Sequence, residues 1–267
     1  MTMRPLGDWP LHTRRRIHGV FTDIDDTLTT DGAITHDALL ALDRLKQAGL
    51  PVIAITGRPV GWSRPFAAAW PVDSIVAENG AVALVGGSQG IETHYLQPAE
   101  MRETNHARMQ HITRRILREV DGAMLAQDSP GRETDMAIDH SEFTLLPSAA
   151  ITQVVAIMRS EGMNATISSI HINGWFGDHN KLVGARWMVQ QLFGRALDAE
   201  IDQWLYVGDS TNDQLMFQAF ANSIGVANIR RFVPHLQHLP RYVTQSERGA
   251  GFAEVVEALL QARGGLA

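Results

Sequence analysis

The stretch Ile17-His18-Gly19-Val20-Phe21-Thr22-Asp23-Ile24-Asp25-Asp26-Thr27-Leu28-Thr29-Thr30-Asp31-Gly32 decides how the rest of the chain is read. It opens as a short apolar run with β-favouring residues, the signature of a buried strand. It then ends abruptly in acid, with Asp23, Asp25 and Asp26 inside four positions and Thr27 next. Like charges this close are costly to bury unless a cation or a proton offsets them. Open α/β sheets place ligands outside the carboxyl ends of their strands. A strand ending in D-x-D-x-T is therefore a seat for a hard divalent cation, which prefers oxygen donors. The plain alternative is a polar turn, with Asp26 or Thr27 capping the next element.

Working outward, Thr35 begins a helix to about Ala48, with Ala38, Leu39, Leu42 and Leu45 as its apolar stripe and Gly49 as its stop. Val52 to Ile55 is a continuous apolar run, as in a parallel strand covered on both faces. Ser74 to Ala77 reads as a third strand. This β-α-β-α-β rhythm predicts a parallel sheet with helices on its faces. The rhythm then breaks. Ala81 to Val85 and Ile91 to Leu96 predict a hairpin, followed by a polar helix from about Pro98 to Glu119. Strands are expected at Met136 to His140 and Asn164 to Ile172, with a helix between them. Near Asn180 the first rhythm returns: helix Lys181 to Phe193, strand Trp204 to Val207, helix Asp213 to Ala221, strand Ser223 to Ala227, strand Tyr242 to Thr244 and a last helix. The expected layout is a loosely held lead-in over 1–16, an α/β core over 17–85 and 178–267, and an α+β insert over 86–177.

Composition narrows the function. Of 267 residues, 45% are hydrophobic and 19% charged, ample for a packed core. The net charge of −6, from 23 basic and 29 acidic residues, offers no general attraction to nucleic acid or to an anionic membrane. With no cysteine there is no disulfide framework, thiolate nucleophile or thiolate zinc site. That is compatible with a cytoplasmic location, which is the expectation. The run Arg14-Arg15-Arg16 is followed by acid rather than by the apolar segment of a signal peptide, and no run of about 18 apolar residues could span a bilayer.

Three further stretches carry chemistry. In Ile55-Thr56-Gly57-Arg58 a hydroxyl at a strand end precedes a glycine that lets the backbone approach a phosphate oxygen; alternatively Thr56 caps the next helix. In Asp178-His179-Asn180-Lys181 the lysine opens a helix, where the macrodipole disfavours a cation, so an anion near Lys181 is one explanation and a solvated surface lysine the other. In Val207-Gly208-Asp209-Ser210-Thr211-Asn212-Asp213 a second apolar strand ends in glycine and paired acids. There Asp209 can reach a metal shared with the first stretch, and Asp213 can brace it; the alternative is an ordinary turn with Asn212 or Thr211 as helix cap.

Taken in order, D-x-D-x-T, T-G-R, Lys and G-D-x-x-N-D resemble the haloacid dehalogenase-like phosphohydrolases. The subgroup resembled is the one that carries its cap between the second and third motifs and holds the Cof-type and sugar-phosphate phosphatases. Ala77-Glu78-Asn79-Gly80-Ala81 is similar to the same subgroup. The resemblance covers about 20–85 and 178–260, and it implies an α/β fold with a Rossmann-like parallel-sheet core and an inserted α+β cap. It implies Asp23 as nucleophile, Asp25 as general acid and base, and Mg²⁺ as cofactor, held by Asp23, the Asp25 carbonyl and Asp209 with Asp213 in support. Thr27, Thr56, Gly57, Lys181 and Asn212 would meet the phosphate. Asp26 stands where many relatives carry glycine. Within the insert, Arg132, Asp135, His140, His171, Asn173 and Trp175 are the polar candidates for reading the substrate, with Trp175 offering a face for a sugar ring. The histidine pairs His106/His111 and His235/His238 lack a carboxylate to complete a metal site.

The implied activity is Mg²⁺-dependent hydrolysis of a small phosphorylated metabolite, with a sugar phosphate foremost. The expected partner is that ester alone, with no nucleic acid or membrane and a monomeric or homodimeric state. A sugar phosphomutase of the same fold is the nearest rival. A signalling receiver domain would need its phosphorylated Asp on an inner strand, and Val52 to Ile55 ends in none. A catalytically dead binding protein would lack one of the two acids present here.

Overall fold

The structure is a computed structural model that describes residues 2–264. Its spine is a nine-stranded sheet in the order β1-β15-β14-β13-β2-β5-β6-β7-β8. In chain order these are β1 (Arg4–Pro5), β2 (Gly19–Thr22), β5 (Val52–Ile55), β6 (Ser74–Ala77), β7 (Val82–Gly87), β8 (Gly90–Tyr95), β13 (Trp204–Gly208), β14 (Asn222–Gly225) and β15 (Tyr242–Val243). All neighbours from β1 through β6 pair in parallel, while β7 and β8 add an antiparallel edge. A small antiparallel hairpin, β3 (Thr29–Thr30) and β4 (Ala33–Ile34), follows the acidic stretch.

Side chains alternate across the sheet, so each strand serves two cores. Val20, Val52, Ala54, Leu205 and Val207 pack on one face with Leu42 and Leu45 of α2 (His36–Gln47) and Val255 and Leu259 of α9 (Arg248–Ala262). Phe21, Ile53, Ile55, Trp204 and Tyr206 pack on the other, against Met188 and Val189 of α6 (Lys181–Phe193) and Met216 and Phe217 of α8 (Gln214–Ala219). Thr35 caps α2, its hydroxyl accepting from Ala38 N–H. The remaining helices of the core are the short α1 (Leu11–Arg14) and α7 (Leu197–Glu200), with α3 (Val60–Ala69) following β5.

The second layer system is a four-stranded antiparallel sheet, β11-β12-β10-β9, built from β9 (Met124–Leu125), β10 (Asp135–Asp139), β11 (Asn164–Ile167) and β12 (His171–Trp175). Met136, Ile138 and Ile172 face α4 (Ala99–Glu119) and α5 (Ser148–Ser160), meeting Ile112, Ile116, Val154 and Met158 in a separate core. Register places Asp135, Ala137 and Asp139 opposite Trp175, Asn173 and His171 on the same side of the sheet, away from those helices.

Three expectations need correction. The boundary drawn at 85/86 falls inside β7, and β8 extends the large sheet, because the hairpin's backbone groups are satisfied by pairing on β6. The lead-in is not loose: β1 joins the parallel sheet, and buried Trp9 donates its indole N–H to Asn222 at 3.1 Å. The strand expected over Asn164 to Ile172 is two strands, folded at Ser168–Ile170 with the Ser168 hydroxyl accepting from the backbone N–H of both Ile170 and His171. No helix among the described residues is long and apolar enough to cross a membrane.

Candidate active site

The carboxyl ends of β2, β5 and β13 meet beneath the second sheet. Asp23 follows β2, its N–H donating to Val207 carbonyl at 2.9 Å, which sets it beside the end of β13. Lys181, the first residue of α6, reaches back from behind. Its Nζ donates to Asp23 Oδ1 and to Asp213 Oδ1, each at 2.7 Å, and all three side chains are buried. Asn180 caps this helix, accepting from Leu182 and Val183 N–H. The helix start lies so close to Gly80 that a Cβ there would collide with Asn180 carbonyl, while Gly80 itself sits at φ +109°. Glycine is thus required for the approach that places Lys181.

Asp213 is saturated. Oδ1 accepts from Lys181 and from the Tyr206 hydroxyl, and Oδ2 accepts from Asp209 N–H at 2.8 Å and Ser210 N–H at 3.1 Å. It braces the strand end and has no lone pair to spare for an ion. A Cβ at Gly208 would overlap Asp213 Oδ2, so the glycine of G-D-x-x-N-D makes room for this fold-back. Asp209 differs. Oδ2 accepts from Asn228 at 3.0 Å, but Oδ1 is fully buried with no partner.

Asp23, Asp209 and Asp213 present carboxylate oxygens within 4.8 Å of one another. Burial, joined by crowding from Asp213 and Asp25 and opposed by Lys181, lifts Asp23 to about 7. Burial and the charges of Asp23 and Asp213 drive Asp209 far above the usual carboxylate range. Lys181 is pushed up from its ordinary value: its two carboxylates outweigh a burial effect that alone would lower it. Three buried acids against the buried Lys181 ammonium, with the part-exposed Arg231 guanidinium 3.7 Å from Asp209, leave the floor short of positive charge. The orphaned Asp209 oxygen marks where a cation fits, since an unsatisfied buried carboxylate oxygen carries a large desolvation cost.

Asp26 occupies its position at φ 55°, the left-handed region that glycine favours and aspartate tolerates. Its carboxylate turns to Arg231 and Arg248, at 2.9 and 3.2 Å. Thr27 is fully buried with its hydroxyl unpartnered.

The roof is built around Arg58. Its Nε donates to Asp25 at 3.0 Å, Nη1 to Asp128 at 3.1 Å and Nη2 to Glu142 at 2.6 Å, so one core guanidinium joins the expected acid to two cap carboxylates. Its Nη1 also reaches the second Glu142 oxygen, which pairs with His171 Nε2 at 2.8 Å. Burial tends to raise Glu142, yet the His171 and Arg58 hydrogen bonds prevail and hold it at about 2. With its carboxylate taken by Arg58, Asp25 has its backbone carbonyl left to offer a metal. Thr56 Oγ1 accepts from Arg58 N–H and lies 3.5 Å from Asp25 Oδ2.

Asp23, Asp25, Gly57, Arg58, His171, Asn173 and Asn212 all line one cavity of about 10 Å³, room for roughly one water. The cap is therefore closed on the core. Gly61 of α3 and Gly131 of the cap touch backbone to backbone, and Glu78, at φ 49°, accepts hydrogen bonds from core Val60 N–H and from Glu133 and Thr134 of the cap.

The other expected cap residues lie nearby but are already engaged. Arg132 donates to Gly57 carbonyl at 2.9 Å and to Asp135 at 2.7 Å, a buried pair behind the T-G-R turn. Asn173 donates to the same carbonyl at 3.2 Å. Trp175 does not offer a face to the cavity: it stacks on His179 and donates its indole N–H to His179 carbonyl. Its ring packs where β12 ends and the chain turns toward α6. Sequence reasoning gives Arg58 no role of its own, and it misses Glu142, Asp128 and Tyr206. Asp128 and Glu142 sit in aperiodic loops; Tyr206 reads as an ordinary strand aromatic.

A parallel sheet with clustered carboxylates and a lysine at its strand ends, covered by a separate α+β layer, is an arrangement that could hold a cation and a phosphoryl group together. The sequence profile of the haloacid dehalogenase-like hydrolases matches residues 20–174, more than half of the chain, and the protein belongs to that family. Among curated relatives, a phosphoglycolate phosphatase of Pyrobaculum neutrophilum is 27% identical over 243 residues, covering 89% of this chain and 93% of that protein. One of Methanosarcina mazei is 27% identical over 242 residues, covering 89% and 94%. Among solved structures, a Thermoplasma acidophilum protein superposes with a TM-score of 0.70 at 16% identity, covering 91% of this chain and 98% of that one. The sucrose-phosphatase of Synechocystis superposes at 0.64 with 17% identity, covering 92% and 98%. The protein is a phosphatase of this family.

Proposed function

We propose that the protein is a Mg²⁺-dependent phosphohydrolase of a small phosphorylated metabolite, working through an aspartyl phosphate on Asp23. The observation that carries this is the floor itself: Lys181 paired to Asp23, beside an Asp209 oxygen that has no partner. Mg²⁺ held by Asp23, Asp209 and the Asp25 carbonyl would supply the missing positive charge beside the phosphate.

The chain's own groups divide the reaction into two in-line transfers. An Asp23 carboxylate oxygen bonds to phosphorus as the ester oxygen departs, and that oxygen takes the proton of Asp25. Asp25 then removes a proton from water, which attacks the phosphorus, releases phosphate and regenerates Asp23. Burial raises the pKa of Asp25 and the Arg58 guanidinium partly opposes it, a balance suited to a group that must both give and take a proton. Lys181, Thr56 and the Gly57 turn meet the phosphate oxygens, with Asn212 across the cavity and the Thr27 hydroxyl in reserve. The closed cap excludes competing water, so substrate enters with the cap raised.

A sugar phosphate is the first substrate class to test, given the polar face that Asn173 and its neighbours present. The two curated relatives make a phosphorylated hydroxy acid the second. The experiment is Mg²⁺-dependent phosphate release from a generic aryl phosphate and from a panel of both ester classes, with a hexose 1-phosphate included. Isomerised sugar phosphate without free phosphate would instead favour the phosphomutase reading.

A further inference from the structure

Glu142 is held as a ligand would be held. Its two carboxylate oxygens meet Arg58 Nη2 and Nη1 at 2.6 and 3.2 Å, and His171 Nε2 adds a third contact at 2.8 Å. The two holders are buried, with side chains only 5% and 2% exposed, and both line the cavity over Asp25. Glu142 is the least buried of the group at 18%, and it hangs from a loop whose next apolar residues, Phe143 and Leu145, face solvent. The backbone of that loop is tied down, since Ser141, Glu142 and Phe143 N–H all donate to the Asp139 carboxylate. With the loop backbone so held, the Glu142 side chain can leave Arg58 and His171 by rotating outward without a movement of its loop.

Over Asp25, Arg58 and His171 the cavity holds roughly one water, so a leaving group on that side needs more room than the closed form gives. Withdrawing Glu142 opens the volume of a carboxylate and two methylenes beside Asp25. It also strips a buried guanidinium of its strongest contact and His171 of its partner, a loss that a hydroxyl does not offset and an anion does. A planar carboxylate suits the guanidinium fork.

We propose that Arg58 and His171 form a carboxylate-binding subsite on the leaving-group side of Asp25. Glu142 fills it in the closed form seen here, and the substrate is the phosphate ester of a short hydroxy acid whose own carboxylate takes Glu142's place. This rests on the phosphatase reading above and chooses between the two ester classes left open there.

The test measures binding apart from turnover. In the presence of Mg²⁺, phosphonoacetate and 2-hydroxyethylphosphonate are titrated into the protein by calorimetry. Both carry the phosphoryl-like group, one ends in a carboxylate and the other in a hydroxyl, and neither is hydrolysed. Phosphonoacetate is expected to bind at least about tenfold more tightly, the worth of one charge-assisted contact. Glu142→Gln weakens the internal competitor and should widen that ratio, whereas Arg58→Met should erase it. Equal affinities in the wild-type protein, or a ratio that Glu142→Gln narrows, would overturn the subsite; neither measurement depends on how Arg58→Met folds. Aryl phosphate hydrolysis run in parallel separates the two ideas. Turnover with equal affinities sinks the subsite alone, and a binding ratio without any turnover sinks the phosphatase reading while the subsite stands.

Discussion

The floor and the roof of the site solve the same problem differently. Both concentrate buried carboxylates. In the roof Asp25, Asp128, Asp135 and Glu142 each meet a guanidinium, from Arg58 or Arg132, within 3.1 Å. In the floor the Lys181 ammonium serves Asp23 and Asp213, while Asp209 has only the part-exposed Arg231 guanidinium, 3.7 Å away, and keeps a bare oxygen. The contrast separates a region where every carboxylate has a guanidinium within hydrogen-bond reach from one where a buried carboxylate oxygen has no partner.

The largest expected effects fall on the floor. Asp23→Asn should lower Mg²⁺-dependent phosphate release by roughly 10³-fold or more, read as kcat, because it removes the nucleophile from a set that acts as a unit. Wild-type turnover in that variant would show that the floor's charge deficit serves something else. Next, Lys181→Met leaves Asp23 and Asp213 buried without their counter-charge. A stability loss of about 3–5 kcal/mol is expected from denaturant melts. A loss below about 1 kcal/mol would mean that the floor tolerates its surplus of acid without the ammonium.

Asp209→Asn sharpens the contrast in the other direction. Removing one of the crowded acids should leave the metal-free protein as stable as the wild type or more so. It should also abolish the rise in melting temperature expected of the wild type in millimolar Mg²⁺, since a ligand stabilises only the state that binds it. A Mg²⁺-induced rise equal to that of the wild type would remove Asp209 from the metal site.

The smallest effect concerns acid. Burial lowers the buried His179 beneath Trp175 to about 4, so it folds neutral. Between the unfolded value near 6.5 and about 4, the unfolded chain binds a proton at His179 that the native chain refuses, so the His179 contribution to stability falls as pH drops through that window, against the opposite contribution of raised carboxylates such as Asp23. Glu142 adds a second loss from about 4.5 downward, as its pairs with Arg58 and His171 are protonated away. His179→Gln should flatten the first limb and leave the second. Melts at about pH 4 and pH 7 check this, and an unchanged slope above about pH 4.5 would contradict it.

The same division runs through what the amino-acid order reveals. The floor is legible because each part follows a strand of unbroken apolar residues and ends in glycine or acid, a pattern that parallel sheets impose locally. Even the lysine at a helix start announces itself by offending the dipole. The roof is not legible, because its parts come together only through closure. Arg58 belongs to the T-G-R motif, yet Asp128 and Glu142 lie 70 and 84 residues further on in loops without period. The hairpin is legible but its sheet is not, since alternation predicts a strand and not its neighbour. Trp175 suggests a sugar platform by residue type alone, while its indole in fact packs on His179 and bonds to the His179 carbonyl.

The central claim is that Asp23 accepts the phosphoryl group. The direct measurement is a rapid acid quench of the Mg²⁺-loaded protein turning over a labelled phosphate ester, followed by peptide mapping. The account predicts label, labile to hydroxylamine, on the peptide carrying Asp23 and none in Asp23→Asn. Label on another residue, or steady turnover with no phosphorylated peptide at any quench time, would contradict it.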